Sequence, residues 1–507
     1  MDKIEILKSQ LNRKLAFSYT IYMIFPEVEK LRKKFSASSD IVVREISCGQ
    51  RQINLIFLKS MIDDNLFISG ILGPIMDYGS DQSLISSGKE FTLQTLQNEV
   101  LKTTEIEEVE KREAAKELSA NKVLLFLDNE EKMLSIDITK YPVRVPSEPP
   151  TSSVLKGPRE GFVEDIKSNI ALLRRRFSGE KLVINEMEIG RCSQTKVAIA
   201  YVKGVASRKI VNKIKKRLKE IDIDGIIDSS YLISFLQERK RSMFKQIGNS
   251  EKPDIVSSKL LEGRVALIVD NSPIVLTLPF IFLEDLQNSN DYYSLSNYAT
   301  YVRVIRILGL FFAVLIPGTY VSVRLYHYNI VPVNFLFTIA NATTAIPLTP
   351  FLEIVFILVL FEILYEVSLR LPRYLGLATS IVGALILGDT GVKAGLISPP
   401  GVMVIAISII AVYTIPDQVD QIVLLRSTFI VIGGCLGIFG VIAGVVFVIA
   451  YLASIENYGV AYLSPYAPRI RNDLQDGVFK QSIVKMKNRP ESLHNKNVVR
   501  LKYDKNN

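Results

Sequence analysis

The sequence predicts an α+β multi-domain membrane protein: two small α/β subdomains followed by an α-helical transmembrane domain. Three observations lead there. Most of the charge lies in residues 1–300, whereas the long apolar runs lie in residues 301–455. The front part holds two strand-then-helix segments with similar punctuation. The mean hydropathy of the 507-residue chain is +0.23, high for a chain lying wholly in water.

Residues 1–37 read as a charged helical extension. The opening MDKIEILKSQLNRKL has neither an apolar stretch nor a small-residue cleavage site, so no signal peptide is expected and the front part is expected in the cytosol. Subdomain 1 is assigned to 38–145. ASSDIVVREI and INLIFLKSM are β-branched runs that read as strands, and LFISGILGPIM reads as a helix after the Asp63-Asp64-Asn65 break. Residues 92–118 read as a long solvated helix, with Glu107–Lys111 and Glu108–Arg112 as i,i+4 pairs. The proline-rich stretch YPVRVPSEPPTSS makes 146–156 a linker.

Subdomain 2, with a juxtamembrane hairpin, is assigned to 157–280. KVAIAYVKGVA is similar to INLIFLKSM, and the following helix places Ile210, Ile214, Leu218 and Ile221 on one face. The two units therefore read as related. Val265–Val269 and Ile274–Leu278, joined by Asp270-Asn271-Ser272-Pro273, read as a hairpin. Tyr292, Tyr293, Tyr298 and Tyr301, with Arg303 and Arg306, suit a helix at a membrane interface.

The helical membrane domain is assigned to 281–455. Spans of about 20 apolar residues are expected at 305–323, 351–369, 400–415 and 428–454, with 330–349 and 378–399 partial or re-entrant; six crossings is the alternative. Residues 456–507 form a tail with many more Lys and Arg than Asp and Glu. Both termini are accordingly expected on the cytoplasmic side.

Charged and polar residues inside the apolar runs are the candidate ion path: Glu353, Glu362, Glu366, Asp389, Lys393, Asn341 and Thr344. A carboxylate in lipid is costly and faces protein or water. Glu362 and Glu366 lie one turn apart and suit a cation path, yet Glu366–Arg370 also suits a plain i,i+4 pair. Glu353 lies on the opposite face of that helix. Asp389 and Lys393 stand i,i+4, as a mutually neutralising structural pair or as part of the path. Asn341, Thr343 and Thr344 suit either a pore lining or interhelical hydrogen bonds.

Enzyme signatures fail on inspection. GPREGF (157–162) lacks the Lys-Ser/Thr of a phosphate loop. DIDG (222–225) opens like a calcium loop, but Ile233 stands where its twelfth-position Glu belongs. His327 and His494 have no catalytic partners in view, and Cys48, Cys192 and Cys435 are too scattered for a disulfide framework or zinc site. Neither catalysis nor a cofactor nor a metal is expected. The net charge of +9 lacks the aromatic interleaving of a nucleic-acid surface. Leu173-Arg174-Arg175-Arg176 reads as a solvated or docking face.

Several stretches together resemble the A-subunit family of GerA-type spore germinant receptors: SSDIVVRE (38–45), GPREGFVEDIKSNIALLRRR (157–176), DIDGIIDSSYL (222–232), EKPDIVSSKLLEGRVALIVDNSPIVL (251–276), FEILYEVSLRLP (361–372), SIVGALILGDTGVKAGLISPPGV (380–402) and YLSPYAP (462–468). The likeness covers about residues 38–490. Phe244-Lys245-Gln246 departs from the family's usual Phe-Pro-Gln. The resemblance implies a multi-pass protein of the bacterial spore inner membrane, with both termini facing the spore core. It further implies a channel-forming subunit of a nutrient receptor that releases ions, working as a homo-oligomeric ring in membrane lipid with a permease-like B subunit and a lipoprotein C subunit. A SpoVAF-like accessory channel subunit and a non-conducting scaffold or signalling subunit are the alternatives. The tail KMKNRPESLHNKNVVR favours the receptor A subunit.

Overall fold

A computed structural model describes residues 25–35, 38–48, 51–80, 92–103, 105–139, 156–177, 179–344, 346–372, 383 and 385–501. The expected helix over residues 1–24, the linker over 146–155 and most of the 373–384 stretch lie outside the described residues.

The front half is one plan used twice. After α1 (Pro26–Lys34), strands β1 (Ile41–Cys48) and β2 (Arg51–Leu58) lead into α2, a helical run of Asp64–Leu66, Phe67–Leu72 and Gly73–Ser80. Asp63 caps it by accepting from the Asn65 N–H at 2.9 Å. Then come β3 (Ile106–Glu110), α3 (Ala114–Ser119), β4 (Val123–Leu127) and β5 (Lys132–Ile136). The second unit runs α4 (Ile166–Arg176), β6 (Leu182–Ile189), β7 (Thr195–Val202), α5 (Arg208–Lys219), α6 (Ser229–Leu236), β8 (Gly248–Ser250), α7 (Pro253–Glu262), β9 (Val265–Val269) and β10 (Val275–Leu278). The sheets are ordered β1-β2-β4-β5-β3 and β6-β7-β9-β10-β8, the same order position by position, with every pairing antiparallel. The weak sequence repeat is thus a clear repeat of topology.

Alternate residues of a strand face opposite sides, and here both sides are covered. Ile53, Leu55, Val123 and Leu125 pack with Phe67, Ile71 and Ile75 of α2, while Ile56, Leu58, Leu124 and Phe126 pack with Val28 of α1 and Leu118 of α3. Burial on both faces explains why VLLFL and VALIV are unbroken apolar runs.

The expected helix over 92–118 is not formed. Short helical turns at Leu93–Thr95 and Leu96–Val100 give way to β3, which adds to the sheet edge beside β5. Glu107 and Glu108 therefore pair across strands, with Lys122 (3.2 Å) and Lys132 (3.3 Å), rather than along a helix. The waiting hydrogen-bond edge of β5 overrides local helix propensity.

The subdomains are locked together. Arg174 of α4 reaches Asp40 before β1 at 2.8 Å, and both side chains are 2% exposed. The Ser39 N–H donates to the Ile184 carbonyl at 2.7 Å. Of the basic run, Arg174 is thus a docking residue, while Arg175 and Arg176 hold Glu160.

The rear half contains α8 (Ser289–Tyr293), α9 (Ser296–Tyr326), α10 (Val333–Thr343), α11 (Pro350–Arg370), α12 (Pro399–Val412) and α13 (Val419–Ala453). The single span expected at 428–454 is corrected: α13 is a helical hairpin. Gly437 has φ 64° and ψ −159°, outside helical geometry. A Cβ on Gly444 would lie 3.0 Å from the Phe429 ring, although in a straight helix the two would stand about 22 Å apart. The first leg rises from Val419 and the second returns to Ala453. Gly318 and Gly433 bring α9 and the first leg into backbone contact.

The tail is not a free basic arm. Its backbone meets the segment that leaves the second subdomain, with Phe282 N–H donating to the Tyr462 carbonyl at 2.9 Å. Asn495 donates to the Glu262 carbonyl at 2.6 Å.

Candidate functional site

Charged side chains join the rear helices at two levels. At the lower level, nearer the sheets, Ser408 of α12 donates to the Ala313 carbonyl of α9 at 2.7 Å. Arg426 of α13 approaches the same Ser408 hydroxyl at 3.3 Å and pairs with Glu362 of α11. Arg426 is 2% exposed, whereas Glu362 is 36% exposed and opens on a cleft of about 170 Å³ shared with Tyr365, Ser368 and Tyr413. At the upper level Arg324 of α9 pairs with Glu353 of α11 at 3.1 Å. The Ser398 N–H donates to the same carboxylate at 2.7 Å, and its hydroxyl donates as well. Arg324 also borders a wider, mostly apolar cleft of about 680 Å³ between α9, α10 and α12.

These contacts fix the path of the chain. Ala313 and Arg324 are separated by about 16 Å along α9, so α9 rises from the lower level to the upper. α11 descends from Glu353 to Glu362, and α12 descends from Ser398 to Ser408. Leu371 thus lies at the lower level and Ser398 at the upper. The two legs of α13 then rise and fall, with the bend beside Tyr326 and His327. Among the described residues, α9, α11, α12 and the two legs of α13 make five passages.

The structure brings Glu353 and Glu362 into the bundle on opposite faces of α11. Glu366 pairs with Arg370 at 2.5 Å, and Asp389 with Lys393 at 2.7 Å, all four exposed. Asn341 and Thr344 are exposed on α10 and just after it, with the Thr344 hydroxyl donating to its own helix at Ala340. The partners Arg324, Arg426, Ser398 and Ser408 escaped the sequence reading. A lone arginine within an apolar helix is itself the signal, because it requires an acid nearby; Arg426 fell just outside the expected 428–454 span.

A third charged layer couples the rear helices to the sheets. Arg303, 1% exposed at the foot of α9, holds Asp291 (3.1 Å) and Asp476 of the tail (3.0 Å), and Arg306 holds Asp291 at 2.7 Å. The two arginines expected at a lipid interface are thus committed inside the protein. Burial pushes the Asp291 carboxyl up, but Arg306 and Arg303 outweigh it and hold the group below the usual carboxylate range. Asp285 lies beside, holding Lys245 (3.0 Å) and Gln418 (3.2 Å) of the α12–α13 connection. Burial pushes its pKa up to about 6, with Lys245 only partly offsetting that. Asp222 and Asp224 of DIDG clamp the exposed Arg191.

A duplicated antiparallel sheet unit, seated on a helical half with two helices long and apolar enough to cross a bilayer and cross-linked by ion pairs, defines a chain that joins a sheet-built region to an apolar helical one. Comparison with known proteins gives the particular kind. The family model for the Bacillus/Clostridium GerA spore germination protein matches residues 29–492, and the chain belongs to that family. It is 31% identical to spore germination protein KA of Bacillus subtilis (strain 168), over 93% of this chain and 87% of that one. It is 33% identical to the uncharacterized membrane protein YfkQ of the same strain (89% and 87% covered), and 31% to spore germination protein XA of Bacillus anthracis (82% and 83%). Among solved structures, the N-terminal domain of the A subunit of the Bacillus megaterium spore germinant receptor GerK3 matches at 26% identity and TM-score 0.36, over 50% of this chain and 94% of that one.

Proposed function

We propose that this chain is the A subunit of a germinant receptor, crossing the spore inner membrane six times, and that several copies assemble to form a gated cation path. Family membership supports the germination role. The observation that carries the conduction reading is the lower charged layer: Glu362 stands well inside the apolar helix α11, paired on one side with buried Arg426 and open on the other. An ionisable group at that depth marks an ion pathway by default, and copies around an axis would repeat it as a ring. Permease-like B and lipoprotein C subunits are the expected partners, with nutrient binding on a partner shifting the Glu362–Arg426 pair.

The test is ion release from germinating spores carrying Glu362→Gln, beside Glu366→Gln as the exposed control, with subunit abundance measured in both. Slowed release in the first variant alone is expected. Parental release from a normally abundant Glu362→Gln subunit sinks conduction along this layer. One observation favours a second reading, a non-conducting scaffold or signalling subunit: each candidate acid already has a cation partner within the chain. That reading gains if both variants behave alike.

A further inference from the structure

After α6 the chain runs Glu238-Arg239-Lys240-Arg241-Ser242-Met243, and this segment is pinned to the foot of the descending leg of α13. Arg239 donates to the Ser454 hydroxyl at 3.0 Å and to the Ser454 carbonyl, and its guanidinium lies 5.6 Å from the Tyr451 ring. Phe244, next along, is buried against the same ring, with centroids 5.8 Å apart. On the other side the Leu236 carbonyl accepts from the Tyr458 hydroxyl at 2.8 Å. Between these anchors the segment faces outward. Lys240 and Arg241 are exposed, Met243 is 48% exposed, and Tyr231 and Phe235 of α6 are 42% and 37% exposed.

The charge of this surface is not cancelled locally. Glu238 is already held by Lys213 and Arg217 and accepts from the Tyr458 N–H at 3.0 Å. Among the described residues, Arg239, Lys240 and Arg241 have no ion pair.

We propose that this foot is a docking surface for the anionic phospholipid headgroups of the leaflet to which the descending leg of α13 returns. The inference rests on the membrane reading above. Its height argues for it: the apolar leg ends at Ala453, and Arg239 touches the next residue, so the three cations stand where hydrocarbon gives way to phosphate. Its chemistry argues likewise. Adjacent cations meet the negative potential of an anionic leaflet, while the amphipathic ring of Tyr231 and the apolar Phe235 and Met243 supply the bodies that settle at that depth. A zwitterionic headgroup answers the apolar part of this surface but not its charge.

The chain contains no tryptophan, so Phe235→Trp gives a single indole reporter, with Tyr231→Trp as a second should the first disturb folding. The full-length chain is reconstituted into phosphatidylcholine vesicles containing a fixed fraction of bromine-labelled phosphatidylglycerol or, in the other arm, bromine-labelled phosphatidylcholine. Stronger quenching by the labelled phosphatidylglycerol is expected, and Lys240→Gln with Arg241→Gln should weaken that preference roughly tenfold. Equal quenching by the two lipids, or a preference untouched by the double substitution, overturns the proposal. Absence of quenching in a chain that floats with the vesicles after an alkaline wash also overturns it, and makes a protein partner the occupant. A chain that does not float at all defeats the membrane reading instead, so the two failures are told apart.

Discussion

Buried ion pairs in this protein differ from exposed ones by what their loss would leave behind. Asp291 is the shared partner of Arg303 and Arg306, and its side chain is 3% exposed. Asp291→Asn leaves Arg306 without its ion partner and the buried Arg303 with Asp476 alone, and a broken buried pair costs about 3–5 kcal/mol. Asp389→Asn releases Lys393 into its exposed surroundings and should cost at most about 1 kcal/mol. Thermal melts of the two purified variants in detergent should differ accordingly; similar melting would refute the coupling role of the Asp291 layer. Asp285 carries a pH signature. Its folded pKa of about 6 exceeds the ordinary value of 3.8, so ionisation disfavours the folded state and stability from this group is lost as pH rises between those values. Asp285→Asn should therefore gain on the parent between pH 5 and pH 7. A melting difference that is flat with pH would contradict this.

At the scale of elements, the bend in α13 hangs on one residue. Gly437 combines a positive φ with a ψ near −159°, a region open essentially to glycine, and a Cβ there would meet His327 at 2.9 Å. Gly437→Ala should lower stability by roughly 1–3 kcal/mol, whereas Gly388→Ala, with open space around it, should be neutral. Equal melting temperatures for the two would mean that the hairpin does not depend on this geometry. The sequence displayed five glycines between 433 and 444 but not which one turns the chain. A local pattern reports what glycine permits, and only packing against α9 selects where that freedom is used. The 92–118 stretch teaches the same lesson from the other direction. Its charges fit i,i+4 spacing, yet a sheet edge formed by residues far along the chain captured Ile106–Glu110 as a strand.

For the whole molecule the proposed six crossings make a topological prediction. Exposed Cys192 lies in the second subdomain, and exposed Asn329 follows the upper end of α9. A membrane-impermeant maleimide should reach native Cys192 from one side of the bilayer. Asn329→Cys, in a background lacking Cys435, should react from the other. A tag following Asn507 should share the side of Cys192, because the tail docks on the second subdomain. Placement of all three on one side would break the proposed six-crossing topology.

Strands β1, β2 and β7, the 265–278 hairpin, the apolar helices and the candidate acids were legible in the sequence, because period, turn residues and charge in an apolar run are local properties. Family membership was legible too, since it rests on motifs spread along the chain. Tertiary structure alone decided that the sheets share one strand order, that α13 folds on itself, and that Glu353 and Glu362 answer to Arg324 and Arg426. The physical reason is distance along the chain: Glu362 and its partner are separated by 64 residues. No local rule couples positions so far apart. The cost of burying each charge alone does so, once packing brings the helices together.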